Sequence, residues 1–515
     1  MDEPRIDPDA DQPSTTATFD VGAIPEIDHY ELDGIPLFHI PMAGSTVLSL
    51  SFRVGRADEP VVHGGMTHLA EHLILTAIDD VFDHSNGTTE PYRVTFITRG
   101  SPSHVSTFLR DVCRSITSPR LTRMHQEAKV LRTESAGKSG VGMSLRMAWM
   151  RTGYQGIGTW GLPEFFLDGL DEGRLRDWMA RHFVAGNAVI WVAGELPDDL
   201  VVDLPPGPRT PPPPIGSIDG LETPTALMDE APGVAAGFFV ERSVAATAGL
   251  TGLQRQLTKR LRLDRGLGYE IGADYIAAST DRAYAAIWAT CLPEAAPEVQ
   301  QNLLEAIDDI AARGPSPDEL SRDYQGFLRE LSDPHSIPGR LDGHARNVLL
   351  GGDPAPEPVA ALIEERWRLE SEHVAAAWKR ARDTMILLLP PTGVDPQRPL
   401  ARYPGPALDR MEAGRTFELL PTTRRRFRRN ETGIVLAPGR VGVAVEAVGG
   451  QRIRGVRWTD VVGIIREAGA RSLISRDGSV LQIFEGDWRD GQGAIREIDR
   501  FSPADVFIDP QPGRA

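Results

Sequence analysis

The chain has 515 residues, of which 41% are hydrophobic and 25% are charged, and its formal net charge is −17. A chain of this length typically forms two to four domains. Its negative net charge argues against a general nucleic-acid-binding protein. No stretch approaches the ~20 continuous apolar residues of a transmembrane helix. Two cysteines provide neither a disulfide framework nor a thiolate metal site. We therefore expect a globular protein of a reducing compartment, by default the cytoplasm.

Proline-rich stretches divide the chain. The first 20 residues are acidic and polar and are predicted to form a disordered leader. Stiff, proline-rich stretches are typical of spacers between folded units. The resulting segments are a leader at 1–20, domains at 21–203, 220–390 and 407–515, and linkers at 204–219 and 391–406.

The first predicted domain contains a His-x-x-Glu-His motif within the apolar run from Gly65 to Ala77. The Met, Leu, Ala and Ile content of this run favours a helix, which would place His68 and His72 on one face. Two imidazoles in this arrangement can bind one Zn²⁺ ion, and Glu71 would project toward the water that the metal activates. The motif is the inverzincin arrangement of zinc hydrolases.

A zinc hydrolase needs a third protein ligand, held by a separate element. The segment 123–135 has apolar residues at helical spacing, and on another face it carries Glu127 and Glu134, seven residues apart. We predict that Glu134 is the third ligand and that Glu127 is a catalytic-site group that orients a ligand. Without the histidine motif, a solvated helix face would be the better interpretation of these two glutamates.

A second pattern lies in the second predicted domain, where Arg262 precedes Tyr269 by seven residues. A guanidinium and a phenol are donors that can polarise a carbonyl or bind developing negative charge. The segment also fits a helix that ends at Gly266 and a strand that starts at Tyr269. Both interpretations can hold together, because such a turn would direct the two side chains.

The histidine motif with its later glutamate pair, and the arginine seven residues before a tyrosine, resemble the two signatures of the M16 metallopeptidases. This family includes pitrilysin, insulysin and the mitochondrial processing peptidases. The resemblance implies a Zn²⁺ cofactor and a peptide substrate. It assigns roles to six residues: the ligands His68, His72 and Glu134, the general base Glu71, and the substrate-binding pair Arg262 and Tyr269.

The first two predicted domains look like diverged copies of one plan. Each ends with a tryptophan-containing helix and an apolar strand: 178–182 followed by 188–193, and 378–382 followed by 385–389. The mixture of helices and strands predicts an α+β class, with antiparallel-rich sheets and packed helices. The resemblance implies two M16-type α/β-sandwich domains. Because four such domains enclose the peptide chamber in that family, it also implies a homodimer or a related partner subunit.

Residues 92–98 alternate with period two. They are either an edge strand, to which a peptide could add as an extra strand, or an ordinary core strand. The third predicted domain has short alternating runs and resembles a small, barrel-like β domain of the pleckstrin-homology type. Before it lies the run Arg424–Arg429, which is either a solvated linker face or a site for an anionic partner.

The sequence thus predicts a zinc-dependent endopeptidase that cleaves peptides or unfolded chains, with Glu71 as general base. One alternative is a non-catalytic, peptide-binding scaffold or subunit with the same fold. Another is a zinc amidase acting on small molecules, which would need neither the Arg262 and Tyr269 pair nor a chamber.

Overall fold

The computed structural model describes residues 21–78, 84–137, 142–229, 231–390, 415–423, 431–436, 443–447 and 453–509. We refer to residues 21–203 as the first half, 220–390 as the second half and 415–509 as the C-terminal unit. The predicted leader, the linker at 391–406 and the arginine run Arg424–Arg429 lie outside the described residues.

The first half is built on a six-stranded sheet. Its strands are β1 (Asp28–Leu32), β2 (Ile35–Ile40), β3 (Thr46–Phe52), β4 (Ser85–Thr89), β5 (Val94–Gly100) and β6 (Ala188–Ala193). Its helices are α1 (Met66–Leu75), α2 (Pro102–Thr117), α3 (Met124–Gly137), α4 (Met143–Thr152) and α5 (Glu172–His182). The strand order is β1-β2-β6-β3-β5-β4, and only β2 and β6 pair in parallel.

The second half is built on a five-stranded sheet. Its strands are β7 (Thr225–Met228), β8 (Gly233–Glu241), β9 (Ile271–Ala277), β10 (Arg282–Thr290) and β11 (Ile386–Leu389). Its helices are α6 (Val244–Leu257), α7 (Ala296–Arg313), α8 (Pro317–Ser332), α9 (Ile337–Leu349), α10 (Val359–Trp367) and α11 (Ser371–Asp383). A π-helical turn, Thr258–Leu263, continues α6. The strand order is β7-β11-β8-β10-β9, and only β7 and β11 pair in parallel.

The two halves share one plan, as the repeated helix-and-strand pattern predicted. The order β2-β6-β3-β5-β4 corresponds strand for strand to β7-β11-β8-β10-β9, including the single parallel pair. Equivalent tryptophans hold equivalent helices: the Trp178 indole donates to the Thr67 hydroxyl of α1, and the Trp378 indole donates to the Ala246 carbonyl of α6, both at 3.2 Å. The α+β class and the antiparallel-rich sheets are therefore confirmed.

Each sheet is covered on its second face by a helix from the other half. On β6, Ile190 faces the helices of its own half, whereas Val189 and Trp191 face α9 of the second half. There they pack against Leu341 and Val348. Strands that are buried on both faces need apolar residues at successive positions, which explains the unbroken apolar sequence of β6.

The packing is reciprocal. Helix α4 of the first half places Met143, Met147 and Ala148 on the second sheet, against Phe239 and Ala286. The opposite face of that sheet packs on helices of its own half, with α6, α7 and α11 in one cluster. The two halves therefore bury each other's sheets and form one folding unit.

The proline-rich segment between the halves is bonded to both of them. The buried guanidinium of Arg53 donates to the Thr210 carbonyl at 3.0 Å. Arg209 donates to Gly186 of the first half at 3.0 Å and to Val348 of the second half at 2.6 Å. This segment thus helps to fix the relative position of the two halves.

Of the two interpretations of residues 92–98, the structure supports the ordinary core strand and contradicts the edge strand. The strand in this region is β5, and it lies between β3 and β4. The edge is β4, whose outer side has no strand partner among the described residues. The sequence did not reveal this strand because Ser85–Thr89 is short, polar and without hydrophobic alternation.

The C-terminal unit contains two four-stranded sheets in its described residues. The strands of one are β12 (Arg415–Phe417), β13 (Glu431–Leu436), β14 (Val443–Ala447) and β15 (Ile453–Gly455). Those of the other are β16 (Val461–Glu467), β17 (Ala470–Ser475), β18 (Val480–Phe484) and β19 (Phe507–Ile508). The second sheet has the order β18-β17-β16-β19, and helix α12 (Gly491–Phe501) packs on it. Neither sheet closes within this part of the chain, so the barrel-like form is not shown.

The C-terminal unit contacts the first half directly. Ile474 and Ile508 pack against Val61, and the Tyr154 amide donates to the Arg476 carbonyl at 2.8 Å. As for membranes, none of the helices in the described ranges combines the length and apolar character that a bilayer crossing requires.

The helix exchange predicts that Leu341→Ala destabilises both halves together. Leu341 is fully buried against the first sheet, so its truncation should lower the free energy of unfolding by about 2–5 kcal/mol, measured by urea denaturation. Leu292→Ala, at a leucine that is 66% exposed, is the matched control and should change stability by less than about 0.5 kcal/mol. Equal effects of the two substitutions would contradict this packing scheme.

Candidate metal centre

Helix α1 is fixed at its N-terminus by a buried carboxylate. Glu59 accepts hydrogen bonds from the Gly65 amide at 2.7 Å and the Thr67 amide at 2.6 Å, which satisfies amides that have no partner inside the helix. Gly65 has a φ of 99°, a conformation that favours glycine. The buried face, with Leu69 and Leu73, then anchors α1 to the core. This placement leaves the two histidines of the motif on the side facing a cleft.

The structure brings His68, His72 and Glu134 together. Their potential ligand atoms all lie within 4.8 Å of one another. The Nε2 atom of His68 is 3.9 Å from Glu134 Oε2, and that of His72 is 3.6 Å from Glu134 Oε1. The imidazole rings are 5.0 Å apart and nearly perpendicular, at 87°. One helix therefore provides both nitrogens, and α3 provides the carboxylate.

This donor set suits a zinc ion. Zinc sites of hydrolases combine imidazole nitrogens with a carboxylate, and ligands about 2.1 Å from a tetrahedral ion lie roughly 3.4 Å from each other. The separations between the two Nε2 atoms and the Glu134 oxygens are close to that value. Three ligands also leave a fourth position for water or substrate.

A second carboxylate holds the far side of His68. The Nδ1 atom of His68 donates to Glu164 Oε1 at 2.8 Å, and the same oxygen accepts from Arg56 Nη1 at 2.9 Å. Because an ionised carboxylate accepts only, this bond leaves Nε2 of His68 as the nitrogen available to a metal.

Glu127 has the corresponding place beside His72. It is 3% exposed, its Oε2 is 3.5 Å from Nδ1 of His72, and its Oε1 is 3.1 Å from Arg123 Nη2. The structure thus places Glu127 beside Nδ1 of His72, and Glu134 beside the Nε2 atoms of both histidines.

The pKa of the His68 imidazole is set by opposing influences. Burial lowers the pKa, but the hydrogen bond to Glu164 and the negative charges of Glu164, Glu71 and Glu134 outweigh it. The pKa of His68 is therefore raised above its ordinary value. The same negative surroundings would attract a divalent cation.

Glu71 lies beside the cluster and is only 4% exposed. Its Oε2 accepts a hydrogen bond from the Thr89 hydroxyl of β4 at 2.7 Å. Burial raises the pKa of Glu71 above the usual carboxyl value, although the charges of His68 and His72 and the Thr89 hydrogen bond oppose the shift. A carboxylate with a raised pKa and a fixed orientation suits a group that accepts and returns a proton.

Gly87 allows β4 to approach Glu71 closely. A Cβ atom at this position would lie 2.4 Å from Glu71 Oε1 and 2.6 Å from Leu75 Cδ1. A side chain at position 87 would therefore displace the strand or the ends of the Glu71 and Leu75 side chains. The sequence contained no signal for this contact, because β4 itself was not recognised.

The cluster opens into a cleft of about 780 Å³. Its walls come from α1, the β4 edge strand, the end of α3, the start of α4 and the segment 160–164. Every described residue that lines the cleft belongs to the first half. The volume and the open edge strand suit an extended ligand more than a small enclosed one.

Arg262 and Tyr269 are not brought to the cluster within this chain. Arg262 is exposed in the π-helical turn, and Tyr269 is 86% exposed after Gly266, which has a φ of 63°. Neither is among the described residues that line the cleft. The helical segment ends at Leu263, with Asp264 as its C-cap, and not at Gly266 as predicted. Regular pairing in β9 begins at Ile271, two residues after the predicted start at Tyr269.

Helix α6 occupies the position in the second half that α1 has in the first. Its sequence, VAATAGLTGLQRQL, contains no histidine, aspartate or glutamate. The repeated fold thus carries side chains that could bind a metal on one of its two equivalent helices.

Residues 243–324 match the family model of the peptidase M16 inactive domain. This region begins one residue before α6 and extends into α8, so it covers part of the second half. No curated protein matches the sequence. The match accords with an α6 that has no metal-binding side chains.

Solved structures resemble the chain in fold at low sequence identity. The peptidase M16 inactive domain from Pseudomonas fluorescens is 14% identical, with a TM-score of 0.56, covering 73% of this chain and 100% of that one. The first half of the periplasmic protease PqqL from Escherichia coli is 14% identical, with a TM-score of 0.54 and coverages of 72% and 93%. A chain of Complex III2 from Candida albicans is 12% identical, with a TM-score of 0.55 and coverages of 70% and 94%. Each of these likenesses covers at least 70% of the chain and shows similarity of fold, and one of the matched chains belongs to a multi-subunit complex.

The contact at Gly87 predicts that Gly87→Ala destabilises the protein. The added Cβ would meet the ends of the Glu71 and Leu75 side chains, which can shift, so we expect a loss of about 1 kcal/mol in the free energy of unfolding, at the low end for overpacking, measured in urea. Gly216→Ala is the control, because a Cβ there meets nothing within 4 Å. If both variants unfold at the wild-type urea midpoint, the close approach of β4 to Glu71 is refuted.

Proposed function

We propose that the protein is a zinc-dependent endopeptidase of the M16 type that hydrolyses peptide bonds in flexible chains. The observation that carries this proposal is the cluster of His68, His72 and Glu134 beside the buried Glu71, at the side of an open cleft. These groups are the two nitrogens, the carboxylate and the proton acceptor that metal-assisted hydrolysis requires.

Each residue has a role that follows from its position. Zinc, when bound by His68, His72 and Glu134, would lower the pKa of a water molecule and polarise the scissile carbonyl. Glu71 accepts the proton of the attacking water and passes it to the leaving amine. The Thr89 hydroxyl, 2.7 Å from Glu71 Oε2, holds that carboxylate in place during the exchange.

The β4 edge supports an extended peptide as substrate. Residues 86–89 line the cleft, and the outer side of β4 has no strand partner in the described part of the chain. A peptide added as a further strand would bond to the β4 backbone and pass beside the cluster. Backbone pairing of this kind requires a chain that can extend, which favours unfolded polypeptides over folded proteins.

A second subunit would complete the site. The cleft is lined by the first half, whereas Arg262 and Tyr269 are exposed on the second half of the same chain. The chain also matches nearly the whole of one half of the PqqL protease. We infer a homodimer, or a pair with a related subunit, in which Arg262 and Tyr269 of one copy bind the substrate at the cluster of the other. A cytoplasmic location remains a prediction from the two unpaired cysteines, Cys113 and Cys291.

A non-catalytic scaffold is the main alternative, because the matching family model describes an inactive domain. That match covers only residues 243–324, whereas the cluster and Glu71 lie outside it. A zinc amidase for small molecules would use the same cluster but would not depend on Arg262, Tyr269 or substrate length. These alternatives differ in the two experiments that follow.

Glu71→Gln should keep zinc and lose peptide cleavage. The amide is close in size to the carboxylate but cannot accept the proton, so we expect the cleavage rate to fall by roughly 100-fold or more. Mass spectrometry of a mixed peptide pool, together with zinc stoichiometry, measures both effects. Glu172→Gln, at an exposed glutamate, is the control. Full cleavage by the Glu71 variant would refute the role of the general base, and zinc-loaded wild type without cleavage would favour the scaffold.

Arg262→Ala and Glu71→Gln should complement each other when mixed. Each variant alone would lack one part of every site, but a mixed dimer would contain one site with both parts intact. Random exchange of subunits should restore about a quarter of the wild-type sites. Peptide cleavage before and after subunit exchange is the measurement. Activity of the Arg262 variant alone at the wild-type rate, or no recovery on mixing, would contradict this assembly.

A further inference from the structure

Glu164 is bonded to the candidate ligand His68 and to Arg56 through one oxygen atom. Its Oε1 accepts from His68 Nδ1 at 2.8 Å and from Arg56 Nη1 at 2.9 Å. Glu164 is 8% exposed and Arg56 is 4% exposed, so both groups have lost most of their contact with water. The His68 ring therefore has one nitrogen held by Glu164, and the other faces Glu134.

Arg56 joins this contact to the start of helix α1. Besides Glu164, it donates to the Leu162 carbonyl at 3.0 Å, and its Nε is 3.5 Å from Glu59 Oε2. Glu59 is the carboxylate that bonds the first amides of α1. One guanidinium thus sets the position of both the helix and the group that orients His68.

The backbone around Glu164 is closely packed against the same helix start. A Cβ atom on Gly65 would lie 2.7 Å from Glu164 Cβ, and the Phe166 amide donates to the Gly64 carbonyl at 3.0 Å. Leu162 and Phe165, on either side of Glu164, pack on the apolar cluster that Val61 forms with Ile474 and Ile508 of the C-terminal unit. The segment that carries Glu164 is therefore held between α1 and the C-terminal unit.

Stability alone does not account for this arrangement. Burial of an ion pair is often no more favourable than burial of apolar groups of the same size. A carboxylate that accepts the second ring proton of a metal-binding histidine, in contrast, fixes the tautomer and orientation of the ring and strengthens the ligand. Glu164 has the position, the charge and the rigid support for that role.

We propose that Glu164 is a positioning residue of the metal centre, which orients His68 for zinc and is itself held in place by Arg56. The inference rests on the proposed zinc site, and it adds a carboxylate that the motif spacing does not contain. It concerns the affinity and geometry of metal binding, because Glu164 acts through His68.

The test compares Glu164→Gln and Glu164→Leu in the full-length protein. Gln keeps an oxygen that can accept the His68 proton but has no charge, and Leu has neither property at a similar volume. Zinc affinity, measured by competition with a chromophoric chelator, should fall by about 10-fold for Gln and by up to about 100-fold for Leu. The visible absorption of the Co²⁺-substituted protein should change as well, because it reports ligand geometry. Glu172→Gln should leave zinc affinity and Co²⁺ absorption at their wild-type values.

A structural role alone would give a different result. If Glu164 only neutralises Arg56, the variants should lower the urea midpoint but bind zinc with wild-type affinity and show an unchanged Co²⁺ spectrum; that outcome would overturn the inference. If the Leu variant does not fold, the Gln variant decides, because it is nearly isosteric. If the wild-type protein cleaves peptides and both variants bind zinc with wild-type affinity, the positioning role is refuted and the proposed function is not. Wild-type protein that binds no zinc would refute both proposals.

Discussion

The exchange of helices α4 and α9 between the halves is the constraint on which the rest of the structure depends. Each sheet has two apolar faces, and a half by itself provides helices for only one of them. Helix α9 covers the second face of the first sheet, and α4 covers that of the second. Because Gly142 and Leu145 at the start of α4 also line the cleft, the packing of the second half helps to set one wall of the candidate site. The candidate metal-binding cluster is thus supported by packing from both halves.

The fold is duplicated, but the candidate metal-binding residues lie in the first half. Helices α1 and α6 occupy equivalent places, and each is held by the indole of an equivalent tryptophan. Of these two helices, only α1 presents histidines, and the neighbouring helix α3 supplies a carboxylate beside them. A fold is therefore a poor guide to activity without the site, since the same framework carries the candidate metal centre in one half and a helix without histidine or carboxylate side chains in the other.

Buried charges connect this scaffold to the candidate site. Arg56 lies between Glu59, which bonds the first amides of α1, and Glu164, which bonds His68. Burying the charges of Arg56, Glu59 and Glu164 costs free energy unless each group has partners. Here each of the two carboxylates accepts at least two hydrogen bonds. The C-terminal unit packs on the segments around this network, next to Val61 and Phe165. The C-terminal unit thus contacts the segment that carries Glu164, although none of its described residues lines the cleft.

The amino-acid sequence by itself determined the features that depend on local periodicity. It placed His68 and His72 on one helix face, Glu127 and Glu134 on another helix, and a tryptophan helix before the last strand of each half. Only the tertiary structure decided that β4 is the edge strand, that Arg262 and Tyr269 lie away from the cleft of their own chain, and that Glu164 bonds His68 across 96 positions of sequence. The physical reason is that a helix repeats every 3.6 residues, so spacing alone predicts which side chains share a face. Contacts between distant segments depend instead on sheet order and on the packing of loops, for which no local pattern exists.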